Sequence, residues 1–294
     1  MTVLEVRHLT TYRYRRPVGF GEHRMMFRPR DSYDQRLLGA TLRITPTPSA
    51  IRWVHDPFGN AVATARFDAE AEELVFENRI SVEHFPDPVD FQSEDYAKTY
   101  PFSYAEDERP DLAPYMARQC PDPGGELERW ARRFLGLGQE TPTGRLLMTL
   151  TTAIGESFVY NRRTESGTQD PLTTLRLGRG TCRDFALFMM EAVRALGFAA
   201  RFVSGYLYVP TRDATRHLGG GSTHAWCQVY LPGAGWVEFD PTNGIIGNRD
   251  LIRVAVARLP SQAVPLTGTF RGSPDDELGM TVEVHVTSED PGAG

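Results

Sequence analysis

The chain has 294 residues, 40% of them hydrophobic and 24% charged, with a formal net charge of −6. That length allows about two domains and more than one buried core. The acidic balance gives no support for nucleic-acid binding, no run approaches the ~18 apolar residues of a membrane span, and Cys120, Cys182 and Cys227 are too few and too scattered for a disulfide framework or a zinc site.

Arginines interrupt the first thirty residues before a secretory apolar stretch can form, so a cytoplasmic location is expected. From Thr2 to about Phe85 the pattern has period two: a long strand through Tyr14, then strands near 20–27, 37–45, 51–54, 61–67 and 74–84, with a turn at 56–60. Six short strands of this kind predict an all-β, sandwich-like N-terminal domain over residues 1–85. Seven prolines then punctuate the stretch from 86 to 123. Long helices are excluded there, and residues 86–124 are read as a connector anchored by Tyr96, Tyr100, Phe102, Tyr104 and Tyr115.

Residues 125–294 form the expected third unit. Leu127, Trp130, Ala131 and Phe134 recur at helical spacing, as do Leu146, Leu147, Leu150 and Ile154. A coil is expected from Thr164 to Gly180. Cys182 then opens a helix whose apolar stripe runs through Phe185, Met189, Val193 and Leu196 to a stop at Gly197. Unpaired N–H groups and the positive dipole end of a first helical turn favour a thiolate, although a small buried apolar role is the alternative for this cysteine. Strands follow at 200–208, 222–231 and 236–240, the first two joined by a loop containing Gly219-Gly220-Gly221.

Along the second of these strands His224, Trp226 and Gln228 share one face, and Cys227 falls on the other as core filler. If the hairpin closes through a four-residue loop at 232–235, residue i faces 467 − i and His224 lies opposite residue 243; contact with Asp240 then needs a bulge or another register. A cysteine at a helix entrance, a strand histidine and an aspartate on the adjoining strand make up, in that order, a nucleophile, its imidazole partner and an orienting carboxylate.

Gly-Thr-Cys-Arg-Asp-Phe-Ala at 180–186, Arg-Ala-Leu-Gly-Phe at 194–198, Thr-His-Ala-Trp at 223–226 and Gly-Trp-Val-Glu-Phe-Asp-Pro-Thr-Asn at 235–243 resemble the core of the transglutaminase-like superfamily. More narrowly, the chain is similar to bacterial transglutaminase-like proteins, often described as candidate cysteine proteases, that carry a β-rich N-terminal region. The resemblance implies an α+β, papain-like core in which Cys182 is the nucleophile, His224 the general acid/base and Asp240 the group that fixes the imidazole. It further implies an oxyanion site, for which the Cys182 N–H is one donor and Tyr160 or Gln169 the second. Arg183 departs from the glutamine common in the family. Asp184, Tyr206, Tyr208 and Trp226 are the expected substrate-cleft residues. The implied activity is cysteine-dependent acyl transfer or hydrolysis on amide bonds of a protein or peptide, through a thioester resolved by water or an amine, with no metal or cofactor, no nucleic-acid partner and no membrane partner. The alternative is a binding or assembly protein that keeps this fold without its chemistry.

Overall fold

The period-two pattern of the first third forms strands, and one of them is unusually long. In the computed structural model, which describes residues 2–86, 91–136, 140–163, 167–209, 218 and 221–288, β1 spans Thr2–Phe20. It is followed by β2 (His23–Arg28), β3 (Gln35–Thr45), β4 (Ala50–His55), β5 (Ala61–Arg66) and β6 (Glu70–His84). Along β1, Leu4, Val6, His8 and Thr10 alternate inward, and β1 pairs antiparallel with β6 from Thr2↔His84 onward. Pro88, Gly219, Gly220 and the start of the expected coil at 164–166 lie outside the described residues.

The connector contains β7 (Thr99–Tyr100) and an unexpected short helix, α1 (Arg109–Met116), with Pro110 in its first turn, where no intrahelical N–H is needed. Tyr96 stays half-exposed, but the connector's other aromatics do anchor it. The Tyr104 hydroxyl donates to Tyr230 O (2.9 Å) and accepts from Ala199 N (2.8 Å), while Tyr100 stacks on Phe198. Next come α2 (Glu126–Arg132), β8 (Thr141–Pro142), α3 (Thr143–Ser157), β9 (Val159–Tyr160), α4 (Pro171–Leu177) and β10 (Arg179–Gly180). The expected coil is therefore broken by α4. Asp170 caps it by accepting from Leu172 N and Thr173 N, and Gly178 ends it at a φ of 59°.

The core then comprises α5 (Cys182–Ala195) packed on β11 (Ala200–Leu207) and β12 (His224–Leu231), with β13 (Gly235–Asp240), β14 (Ile245–Ile246) and β15 (Leu251–Ala257) completing an antiparallel sheet in the order β14-β13-β12-β11-β15. Phe185, Phe188, Met189 and Val193 bury the inner face of α5 against Ala225, Cys227, Val229 and Phe239. Each large side chain so buried contributes about 1.5–3 kcal/mol.

The last strands, β16 (Leu266–Thr267), β17 (Phe270–Arg271) and β18 (Glu277–Ser288), do not extend the core sheet. They join the N-terminal sheets, giving the orders β16-β2-β5-β4 and β17-β1-β6-β3, with β18 also on β1. These two sheets sandwich Tyr14, Phe20, Phe27, Phe67 and Phe76. The sandwich is thus built from both ends of the chain, whereas the sequence pattern placed everything after 125 with the core.

The outer edge of β15 is capped by two side-chain amides from the sandwich. Asn60 exchanges hydrogen bonds with the backbone of Val256 (2.7 and 2.9 Å), and Gln35 does the same with Arg253 (2.9 and 3.0 Å). Leu4, Val6, Ile80 and Val82 pack there on Tyr206, Ile252 and Val254. Among the described residues no helix is long and apolar enough to cross a membrane.

Candidate active site

The entrance of α5 is shaped by the loop before it. Parallel pairing of β9 with β10 sets Tyr160 beside Gly180, and Asn161 N donates to Gly180 O at 2.8 Å. A Cβ on Gly180 would lie 2.9 Å from Asp184 Cβ, so only glycine lets the strand run this close to the first helical turn. Five donors converge on Asp184: Arg163 Nε (3.0 Å) and Nη2 (2.8 Å), Gln169 N (2.6 Å), and Thr181 N (2.8 Å) and Oγ1 (2.9 Å). Burial acts to raise the Asp184 pKa, but the Arg163 pair and these hydrogen bonds prevail and lower it. Asp184 is thus an N-terminal brace of α5 and not a cleft residue, because every face of its carboxylate is already occupied.

That brace presents Cys182 at the first position of α5, with its side chain buried. The N–H groups of this turn have no partners inside the helix.

His224 opens β12 and Asp240 ends β13. The observed register pairs Cys227 with Phe239 and Leu231 with Gly235, one residue away from the expected pairing, because the hairpin loop has three residues, 232–234. This puts Asp240 opposite Trp226 and on the same face as His224, where Asp240 Oδ2 accepts from His224 Nε2 at 2.7 Å. Asp240 Oδ2 also accepts from Asn243 Nδ2 (2.8 Å) and Oδ1 from Thr242 N (2.9 Å). The His224 and Asp240 side chains are both fully enclosed.

Burial opposes a charged imidazole, yet the adjoining Asp240 carboxylate, its hydrogen bond and the Cys182 sulfur outweigh it and raise the His224 pKa to about 10. Asp240 is lowered, burial again opposing and His224 prevailing. Because the Asp240 carboxylate only accepts, the proton of a neutral His224 sits on Nε2. Among the described residues the buried Nδ1 makes no hydrogen bond of its own, which leaves it as the ring nitrogen available to the sulfur.

The remaining sequence-predicted residues divide clearly. Tyr160 lies near Cys182: its pKa is raised first by burial and then by the cysteine, so its phenol remains a donor. Gln169 does not serve the oxyanion site, because its amide already donates to Thr174 Oγ1 (2.9 Å) and Arg179 O (3.0 Å). Tyr206 faces the sandwich and bonds His8 Nδ1 at 2.9 Å. Trp226 is fully buried, its ring stacked 5.9 Å from His224 and its indole N–H on Glu238, so it forms a floor under the imidazole and not a cleft wall. Tyr208 packs with Tyr206 against the sandwich. Cys227 is enclosed, and burial raises its pKa well above the usual thiol range.

Asn243, Thr242, Arg163 and Glu238 were not singled out as site residues by the sequence pattern. Glu238 and Asp240 do share a strand face by period two, and Asn243 follows Asp240 within one turn, which are the signals that could have found them.

Residues 4–83 match the bacterial transglutaminase-like N-terminal region, and residues 129–241 match the transglutaminase-like superfamily, a span that holds Cys182, His224 and Asp240. An uncharacterized protein of Mycobacterium tuberculosis is 27% identical over 295 aligned positions, covering 95% of this chain and 91% of its own. An uncharacterized protein of Mycobacterium leprae is 37% identical over 114 residues; the match spans 38% of this chain and only 40% of that relative. A crystal structure of a candidate cysteine protease from Cytophaga hutchinsonii has the same fold, with a TM-score of 0.70 at 17% identity over 98% of this chain and 91% of that one. The chain therefore belongs to the transglutaminase-like superfamily through its core at 129–241, with a bacterial transglutaminase-like N-terminal region at 4–83 in front of it.

Proposed function

We propose that this protein is a thiol enzyme that cleaves or transfers acyl groups from amide bonds of a protein or peptide, with Cys182, His224 and Asp240 as its triad. The observation that carries this reading is the buried His224–Asp240 pair at 2.7 Å with Nδ1 left for the cysteine sulfur. Nδ1 takes the Cys182 proton, the thiolate adds to the carbonyl carbon, and the resulting oxyanion sits against the Cys182 N–H and the Tyr160 hydroxyl. The imidazolium then passes its proton to the departing amine, leaving a thioester. Water resolves the thioester to an acid, or a second amine resolves it to a new amide, with His224 as base in either case.

The test is alkylation by iodoacetamide at neutral pH. Cys182 is expected to react first, because burial holds the Cys120 thiol up at about 11 and raises the Cys227 thiol well above the usual range. Incubating a peptide mixture with the protein and with Cys182→Ala identifies the product: new termini for hydrolysis, new amide cross-links for transfer. Equal, slow labelling of all three thiols and no Cys182-dependent product would sink the proposal and leave a binding role for the fold.

A further inference from the structure

Where the sandwich meets the far half of the core sheet there is a cavity of about 860 Å³. Its walls come from residues 30–34, from Gln228, Trp236 and Glu238 on β12 and β13, and from Arg253 on β15. None of Cys182, His224 and Asp240 borders it.

Its charged groups are unequally served. Arg253 is saturated: it bonds Asp34 Oδ1 (2.8 Å) and Oδ2 (3.3 Å), Glu238 Oε1 (2.6 Å) and Ser32 Oγ (2.9 Å), and so consumes both deeply placed carboxylates. Arg201 on β11 has no such partner. Its Nε donates to Gln228 Oε1 at 2.6 Å and its guanidinium lies 4.2 Å from the centroid of the Trp236 ring. Among the described residues nothing bonds Nη1 or Nη2. Burial lowers the Arg201 pKa to about 10 against the pull of Glu238, so this cation is held with its desolvation only partly compensated. A guanidinium stacked on an aromatic ring, its flexible stem immobilised and one edge of its fork open, is organised to meet a planar two-oxygen anion. Val237, Val254 and Val256 are also among the residues that border it.

We propose that this cavity binds a carboxylate carried on an apolar body, Arg201 holding both oxygens and Trp236 with the lining valines receiving the remainder. The site stands on its own residues and holds whether or not Cys182 is a nucleophile. The carboxylate can belong to a free small acid or to the C-terminus of a peptide, and the two sources separate in one experiment.

N-acetylphenylalanine and the peptide acetyl-Ala-Ala-Phe, each beside its C-terminal amide, are titrated into the unaltered protein while the Trp236 indole N–H, assigned with Trp236→Phe, is followed by NMR. At least one acid is expected to shift that resonance, with its amide binding about tenfold or more weakly, and Arg201→Lys is expected to remove most of the difference. A response to the peptide acid alone assigns the site to a peptide terminus, a response to N-acetylphenylalanine alone to a free acid, and a response to both to the shared group. Acid and amide binding equally, no shift with either acid, or displacement of the acid by inorganic phosphate at equal concentration overturns the proposal. The acid–amide comparison needs no variant, so it stands even where Arg201→Lys disturbs the fold.

Discussion

An imidazole in water changes charge near neutrality, but His224 does so only after losing the hold of Asp240. Its folded pKa, about 10, lies above the usual 6.5, so its contribution to stability is complete below pH about 6.5 and is lost as the pH rises through about 10. The melting-temperature gap between the protein and His224→Gln should therefore narrow from pH 6 to pH 10; a gap that stays constant contradicts the ion pair. Asp240→Asn keeps the shape but can donate to Nε2, which turns the ring to the tautomer with its proton facing sulfur. Acyl transfer measured with a substrate from the peptide screen is expected to fall by about 10²–10⁴-fold, with little change in secondary structure by circular dichroism. At the oxyanion site the two candidates separate by readout. Tyr160→Phe should lower turnover by about tenfold or more with an unchanged melting temperature. Gln169→Leu should instead lower the melting temperature, because it unpairs Thr174 and Arg179. The placement of Cys182 at a helix start and of His224 and Asp240 at two strand ends was legible in the sequence, because such ends carry local signals. The role of Asp184 was not, since the five donors that fill its carboxylate come from the α5 cap, from Arg163 and from Gln169, and the last two lie outside the pattern around the cysteine.

The element on which the site depends most is the β12–β13 hairpin, and its register is a matter of one residue. Pro232-Gly233-Ala234-Gly235 contains two glycines at positive φ, 87° and 71°, and either a three- or a four-residue loop is compatible with that sequence. The longer loop would place Asp240 opposite Cys227, on the face away from His224; the shorter one, which forms, aligns them. Trp226 then fills the space beneath the imidazole, and Gly205, paired with His224 on β11, makes room for that ring. A Cβ on Gly205 would lie 2.7 Å from Trp226 Cη2 and collide with the β15 backbone as well. Gly205→Ala is accordingly expected to cost about 1–3 kcal/mol and to slow Cys182 alkylation, measured by denaturant melts and mass spectrometry. Unchanged stability would mean that Trp226 has freedom the packing denies it. The helix α4 had readable signals in Asp170-Pro171 and Gly178, but a run rich in threonine, serine and glycine obscured them.

At the scale of the molecule, sandwich and core are joined by side-chain amides that finish a sheet edge. Asn60→Ala strips both hydrogen bonds from the buried Val256 backbone and is expected to cost about 1–3 kcal/mol, read as a lower urea midpoint; a change below about 0.5 kcal/mol would mean that water replaces the amide without loss. The two halves of this architecture were partly legible: period two marked the sandwich strands and helical spacing marked the core. The destination of β18 was not, because strand pairing across nearly the whole chain leaves no local signature. That pairing, with Leu4 facing Ser288, also sets an order of events during synthesis. One side of β1 can pair with β6 early, while its other side stays open until β18 has left the ribosome. A nascent chain therefore carries a long unsatisfied backbone edge through the making of its whole core, and the interval of greatest exposure to aggregation and to chaperones is fixed by the distance in sequence between β1 and β18.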